Sequence, residues 1–408
     1  MECSNDERVV PAWLNDEFFL DVIRSFTRDS GTRLCHGCKL RPGTKPGDHF
    51  ASVMYRTTIH YRTSGSHGKE AALAVIMKIK PFESGIKKDT LGDSDLFERE
   101  VAIYSKVLPE MARHLQAMGE TLNYPRLVYA ADKPHTILIL EDVSGKGWTT
   151  GQYIKKFEEV VPAVKAIAKF HAASVVVEQE DSSFRADHKC DIGGKLRTLD
   201  GLTKKSLEEL LDLMRSSPDE FPEQLLQPVE KLKTTLLDAL LESYQPSVGC
   251  QNVLVHGDFH SKNLLHQFTA DGTICDTMLI DFQICSWTTP SVDLHYLLDT
   301  IIDQSLKETH RNEIVHLYYQ EFRRILQGLG YVGQIPRLWE LQIELLRTGA
   351  LELFHYVTLF PFRFIDRSQI NFEAMLSGKA KNPAASNAVY RNVMRTVLKR
   401  FLYQGVMQ

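Results

Sequence analysis

The stretch Val253–Leu265 holds side chains that could do chemistry together. An apolar run, Val253 to Val255, stops at His256, and Asp258, His260, Lys262 and Asn263 follow before the chain turns apolar again. Two chemistries fit. If His256, Asp258 and His260 alternate along one face of a strand, they offer metal ligands to a metallohydrolase. The spacing Asp258-x-x-x-x-Asn263 instead fits a phosphoryl-transfer loop. There the aspartate accepts the proton of the attacking hydroxyl and the asparagine oxygen holds a metal. Gly257 stands where protein kinases carry Arg. The ordinary alternative is a polar turn after a strand.

Phosphoryl transfer needs further parts, and each has a candidate. Asp281 closes the apolar run Leu279-Ile280, downstream of the loop, where a second metal ligand belongs. Its ordinary role would be to cap a turn, and Gln283 replaces the Gly of protein kinases. Lys78, in the run AVIMKIK, is a candidate cation for the nucleotide phosphates, and Lys80 alternates onto the same face. Glu100, on a helix with Phe97 and Tyr104, is its candidate partner, with Glu98 competing. The turn Gly47–Ser52 is a candidate phosphate cover. No Walker A exists, because the Gly-Lys pairs at 68, 145, 194 and 378 are never followed by Ser or Thr. Glu141 and Val143 precede a joint loosened by Gly145 and Gly147, where a nucleotide would sit. His171, on an apolar helix face, reads as a core histidine. Asp293 reads as a helix N-cap or as a brace for the catalytic loop.

These residues need elements to position them. Residues 50–82 read as a β-hairpin around SGSHGKE, 94–115 as a helix, and 136–140 as a strand. The polar stretch 180–205, with Gly193-Gly194, reads as loops, followed by helices over 205–216 and 222–243. Short strands flank the catalytic stretch at 253–255 and 277–280. Beyond residue 300 the pattern is helical, as in Ile314, Leu317, Tyr318, Phe322 and Ile325, closed by Gly328 and Gly330. Residues 377–387 read as a surface loop. The expected fold is therefore α+β and bilobal. Residues 1–143 would form a small β-rich, nucleotide-binding N-lobe with an N-terminal helical extension. Residues 144–408 would form a mainly helical C-lobe carrying the catalytic loop and the acceptor-binding helices.

Composition narrows the function further. The chain has 408 residues, 43% apolar and 25% charged, an ordinary globular balance. A net charge of −4 leaves no basic footprint for nucleic acid. No run of about 18 apolar residues and no signal-peptide core is present, so a cytoplasmic protein without a membrane partner is expected. Seven cysteines then read as reduced thiols. Cys35-x-x-Cys38 lacks a second ligand pair at finger-like spacing and is not read as a zinc site.

With these parts in order, the chain resembles the ecdysteroid kinase-like proteins of arthropods, within the aminoglycoside phosphotransferase and choline kinase superfamily. The resemblance is carried by GDHFASVMYR, MKIKP, FEREVAIYSKVLP, LILEDVSGKGW, VHGDFHSKNLL, LIDFQICSWTTPSVDLHYLL and GALELFHYV, in family order over nearly the whole chain. It implies a kinase-like bilobal fold, ATP with magnesium, and transfer to a hydroxyl of a small molecule such as an ecdysteroid, another apolar hydroxylated compound or a dietary toxin. It also selects Lys78 over Lys80 and Glu100 over Glu98. His260 and Lys262-Asn263 depart from the Trp and Asn-Asn often found in the family loop, which bears on the substrate mouth. The late segment Ala350–Phe362 is aromatic with one acid, Glu352, and offers Phe354 and Tyr356, with His260, as candidate acceptor contacts. An aminoglycoside or choline-type kinase is the alternative within the superfamily, and it would need converging carboxylates. A metallohydrolase would need a second HxH, and an inactive nucleotide-binding module would turn over nothing.

Overall fold

The protein is represented by a computed structural model that describes residues 10–43, 53–65, 68–80, 95–189, 192–364 and 387–407. The N-lobe begins with helix α1 (Asp16–Thr27), whose first turn is capped by the Asn15 side chain accepting from the Phe18 amide. Two short strands follow, β1 (Arg33–Leu34) and β2 (Arg41–Pro42). The hairpin read from the sequence is formed by β3 (Val53–Arg62) and β4 (Ala71–Ile79). Next comes a continuous helical run: α2 (Leu96–Ala102), a π-helical turn over Ile103–Val107, and α3 (Leu108–Ala117). Strands β5 (Leu127–Ala131) and β6 (Ile137–Glu141) complete an antiparallel sheet of order β1-β3-β4-β6-β5, with β2 on the outer side of β3.

Side-chain alternation decides what this sheet can do. Leu73, Val75, Met77 and Ile79 of β4 face one way and pack with Tyr55, Ile59, Ile137, Ile139 and the Phe19–Val22–Ile23 face of α1. Lys78 must point the other way, toward α2.

The C-lobe starts at β7 (Thr149–Thr150) and continues through α4 (Phe157–Glu180), the single turn α5 (Phe184–Asp187), α6 (Gly193–Ser216) and α7 (Leu226–Ser243). Four short strands come next: β8 (Val253–Val255), β9 (Leu264–Phe268), β10 (Ile274–Leu279) and β11 (Ser286–Thr288). They pair as β10-β9-β7 and β11-β8. The chain ends in α8 (Ser291–Tyr296), a π-helical turn over Leu297–Ile301, α9 (Gln304–Gly328), α10 (Leu338–Arg347), α11 (Gly349–Phe354), a second π-helical turn over His355–Leu359, and α12 (Ala388–Tyr403). Helix α4 is long and apolar enough to cross a membrane, but 78% of its apolar window is buried inside the lobe, as befits a core helix.

Two sequence expectations are corrected. The stretch 180–205 is only partly loop: α5 covers Phe184–Asp187 and α6 begins at Gly193. Leu196, Leu202, Leu207, Leu210 and Leu211 are buried along it together with Thr203 and Ser206, while Arg197, Thr198, Lys204 and Glu208 face solvent. His256, Asp258 and His260 do not share a strand face either, because β8 ends at Val255. The proposed surface loop lies outside the described residues over 377–386.

Candidate active site

The site is assembled from four segments that meet between the lobes. From β4, Lys78 Nζ lies 2.8 Å from both carboxylate oxygens of Glu100 on α2 and 3.0 Å from Asp281 Oδ1 at the end of β10. Burial separates this pair from its competitor. Lys78 and Glu100 are 8% and 2% exposed, whereas the Lys80–Glu98 contact, at 3.2 Å, joins side chains 26% and 45% exposed. Burial opposes the charge of Lys78, yet Asp281 and Glu100 outweigh it and hold the ammonium protonated well above the ordinary lysine range. Burial also raises the Glu100 carboxyl, with Lys78 opposing the shift and Asp281 adding to it.

The candidate catalytic loop is fixed from beneath. Asp293, inside α8, accepts the His256 amide at 2.6 Å and the Gly257 amide at 2.9 Å, and its Oδ2 lies 2.9 Å from His171 Nε2. Bracing is thus its role, and Pro290 holds the N-cap position. His171 is fully buried, with Nδ1 2.8 Å from the Tyr318 hydroxyl, as the core reading expects. His256 Nε2 donates to the Ile280 carbonyl at 2.9 Å, which ties the loop to the segment after β10 that bears Asp281. Gly257 adopts φ +78°, and a Cβ there would fall 2.5 Å from the Ile284 carbonyl oxygen, so the position excludes the Arg of protein kinases. Asp281 itself has φ +69°, an uncommon conformation for a residue with a side chain and one that gathers at functional sites.

Above this brace sit Asp258 and Asn263. The Asn263 side-chain amide donates to the Asp258 carbonyl at 3.0 Å, which turns its oxygen the other way. The Asp258 carboxylate meets Lys195 Nζ at 3.3 Å on Oδ1 and His260 Nε2 at 3.8 Å on Oδ2. Burial opposes ionisation of Asp258, but Lys195, His260 and His256 outweigh it and hold the carboxyl below the usual aspartate range. Burial lowers His260 against the pull of Asp258. Sequence reasoning missed Lys195. It lies in the segment read as loop, and no local pattern links it to Asp258.

At the joint, Val143 packs with Trp148 and Met278, and Leu265 and Ile280 border this small apolar cluster. The Glu141 carboxylate lies 2.6 Å from Lys146 and 3.5 Å from Arg126. Gly47 and Ser52 lie outside the described residues. Phe354 and Tyr356 are placed in the core of the C-lobe, 4% and 2% exposed, and the Tyr356 hydroxyl donates to Gln304. Beside them, Lys307 bonds Asp299 and lies 2.6 Å from Glu352, which also meets Arg400 at 2.6 Å. His355 Nδ1 lies 2.9 Å from Asp299.

The metal-ligand reading of the loop is not supported by this arrangement. Among the described residues, the one group of three His, Cys, Asp or Glu side chains with ligand atoms within 4.8 Å of one another is Glu110, His114 and Glu180, on the lobe surface. Cys35 and Cys38 are free thiols.

A sheet lobe and a helical lobe that meet at a buried Lys–Glu–Asp cluster, opposite an Asp–Asn loop, have the architecture of a kinase. The chain matches the ecdysteroid kinase-like family over residues 46–331 and belongs to that family. It is a small-molecule kinase that uses ATP. Two solved structures of glucosamine kinase are also similar, one of them in complex with glucosamine, ADP and inorganic phosphate. They share 11% and 12% identity over 97% and 98% of this chain and 82% and 84% of theirs, with TM-scores of 0.25 and 0.26. No curated protein matches the chain.

Proposed function

We propose that the protein transfers the γ-phosphate of ATP to a hydroxyl of a neutral, largely apolar small molecule, an ecdysteroid or similar lipophile, with Asp258 as base. The observation that carries this reading is the buried Lys78–Glu100–Asp281 cluster, which joins the two lobes opposite the Asp258–Asn263 loop.

In this mechanism the adenine lies against Val143 and the Glu141 backbone at the joint. Lys78, aimed by Glu100, contacts the α- and β-phosphates. Asp281 and Asn263 offer hard oxygen donors and would hold magnesium, which takes such donors together with phosphate oxygens. The chemistry that a magnesium ion would supply there is neutralisation of phosphate charge. Asp258 orients the acceptor hydroxyl and takes its proton. The hydroxyl oxygen forms the new bond to the γ-phosphorus, the bond to the β,γ-bridging oxygen breaks, and ADP leaves. His256 acts as a positioning residue through its bond to Ile280. A neutral acceptor agrees with the engagement of Asp299 and Glu352 by Lys307 and Arg400, which leaves those acids committed within the lobe. Such a molecule would gain affinity mainly from buried apolar surface, about 25 cal/mol per Å².

The test is a panel of steroids, plant lipophiles, neutral sugars, choline and aminoglycosides, scored by ATP-dependent gain of one phosphate. Preference for hydroxylated lipophiles supports the reading. Strong preference for kanamycin or choline overturns the acceptor class and leaves the kinase standing.

A further inference from the structure

We propose that Lys195 is the acceptor-selectivity residue of this kinase: its ammonium, held beside Asp258, admits neutral or anionic acceptors and turns away cationic ones. The inference rests on the neutral-acceptor reading above and deepens it.

Lys195 stands in the first turn of α6, and its Nζ lies 3.3 Å from Asp258 Oδ1. Its side chain is about a third exposed and Asp258 is nearly buried. The lysine is thus the more exposed member of the pair, a solvent-reaching cation in contact with the carboxylate assigned to the acceptor hydroxyl. An acceptor carrying an ammonium next to its reacting hydroxyl gains most from a lone carboxylate, because opposite charges within a few ångströms attract strongly outside bulk water. Here Lys195 already fills that position, so such an acceptor meets one cation before it reaches one anion. His260 occupies the flank of the other oxygen, Nε2 to Oδ2 at 3.8 Å.

A second observation points the same way. A polycation site needs several carboxylates facing one space. The lobe holds further acids around His355, whose ring lies 4.6 Å from that of Tyr296. Those acids, Asp299 and Glu352, are taken by Lys307, His355 and Arg400. Asp258 is then the acid that an acceptor ammonium would seek, and Lys195 guards it. The contact also gives Lys195 a place beside the transferring phosphoryl group, so changes here alter turnover as well as selectivity, and only the ratio between acceptors isolates the selectivity role.

The experiment uses the full chain with saturating MgATP and two matched acceptors, the best neutral acceptor of the panel and its analogue with one hydroxyl replaced by an amine. The ratio of kcat/KM for the amine over the neutral compound is measured in the parent, Lys195→Arg, Lys195→Met and Lys195→Glu. The expected result is a ratio unchanged in Lys195→Arg, raised in Lys195→Met, and raised on the order of tenfold or more in Lys195→Glu. Where a variant turns over too slowly, calorimetric binding of the same two acceptors gives the ratio. A parent that prefers neutral acceptors, with the same ratio in Lys195→Glu as in the parent, overturns the inference and leaves the function standing. A parent that prefers a polar sugar over every lipophile, with the ratio moved by Lys195→Glu, overturns the apolar acceptor and keeps Lys195. A parent that prefers the amine overturns both.

Discussion

Lys78 Nζ lies 3.0 Å from Asp281 Oδ1, although 203 positions separate the two residues. The contact crosses the joint, from the central strand of the N-lobe to the end of β10 in the C-lobe. Both residues are assigned to the nucleotide in the proposed mechanism, so one ion pair ties lobe position to nucleotide binding. Removing one partner of a buried pair leaves the other charge costly.

That relationship makes the lysine choice testable. Lys78→Met should lower kcat/KM for ATP on the order of 10²-fold or more, as expected when a cation aimed at developing charge is removed. Lys80→Met, whose parent side chain pairs with Glu98 at the surface, should stay within about threefold. Steady-state kinetics on both variants decides the matter, and the reverse ranking would shift the assignment by one strand repeat.

Much of this was legible in the sequence, for physical reasons. The strand pattern offered Lys78 and Lys80, the helix pattern offered Glu100 and Glu98, and the family resemblance selected Lys78 and Glu100. The break from Val255 to His256 marked the end of β8 and the start of the candidate catalytic loop. Lys80 and Lys78 share a face, so spacing left them equivalent, and burial separates them. The first half of helix α6 was illegible, although 205–216 read as helix, because paired glycines and scattered charges imitate a loop when the packing partner is unknown. Lys195 was hidden for the same reason. Asp293 was ambiguous because a strand of hydrogen bonds to His256 and Gly257 is long-range and leaves no local pattern.

Asp281→Asn should remove magnesium-dependent tightening of ATP binding while nucleotide binding without metal persists. Calorimetry with and without magnesium checks this. Equal tightening in the variant and the parent would assign the metal to other ligands.

Gly257 and Gly272 separate conformation from contact. Both have positive φ, +78° and +82°, but a Cβ meets the Ile284 carbonyl only at Gly257, and open space at Gly272. Each Gly→Ala change should cost about 1–3 kcal/mol for the left-handed backbone. Gly257→Ala should cost more than Gly272→Ala and also lose activity, because the loop under Asp258 must shift. Thermal melts and turnover of both variants test it, and equal losses would deny the close approach a role.

Acid should destabilise the protein through three histidines. Burial lowers His188, His266 and His295 to about 4. An unfolded histidine takes its proton near pH 6.5, so between about 6.5 and 4 the unfolded state binds more protons than the folded state. Stability is therefore full above that window and falls as pH drops through it, by at most about 1.4 kcal/mol per pH unit for each histidine. The melting temperature should fall steadily from pH 7 to pH 5. A flat or rising profile would mean that these rings are accessible to protons in the fold.

The central claim is phosphoryl transfer with Asp258 as base, and single-turnover transfer by Asp258→Asn tests it most directly. Parent and variant are loaded with MgATP and mixed with the best acceptor of the panel. Phosphorylated acceptor and ADP should appear together in the parent, with the transfer step in Asp258→Asn slowed on the order of 10²-fold or more and ATP affinity nearly unchanged. Near-parental transfer by Asp258→Asn would contradict the account.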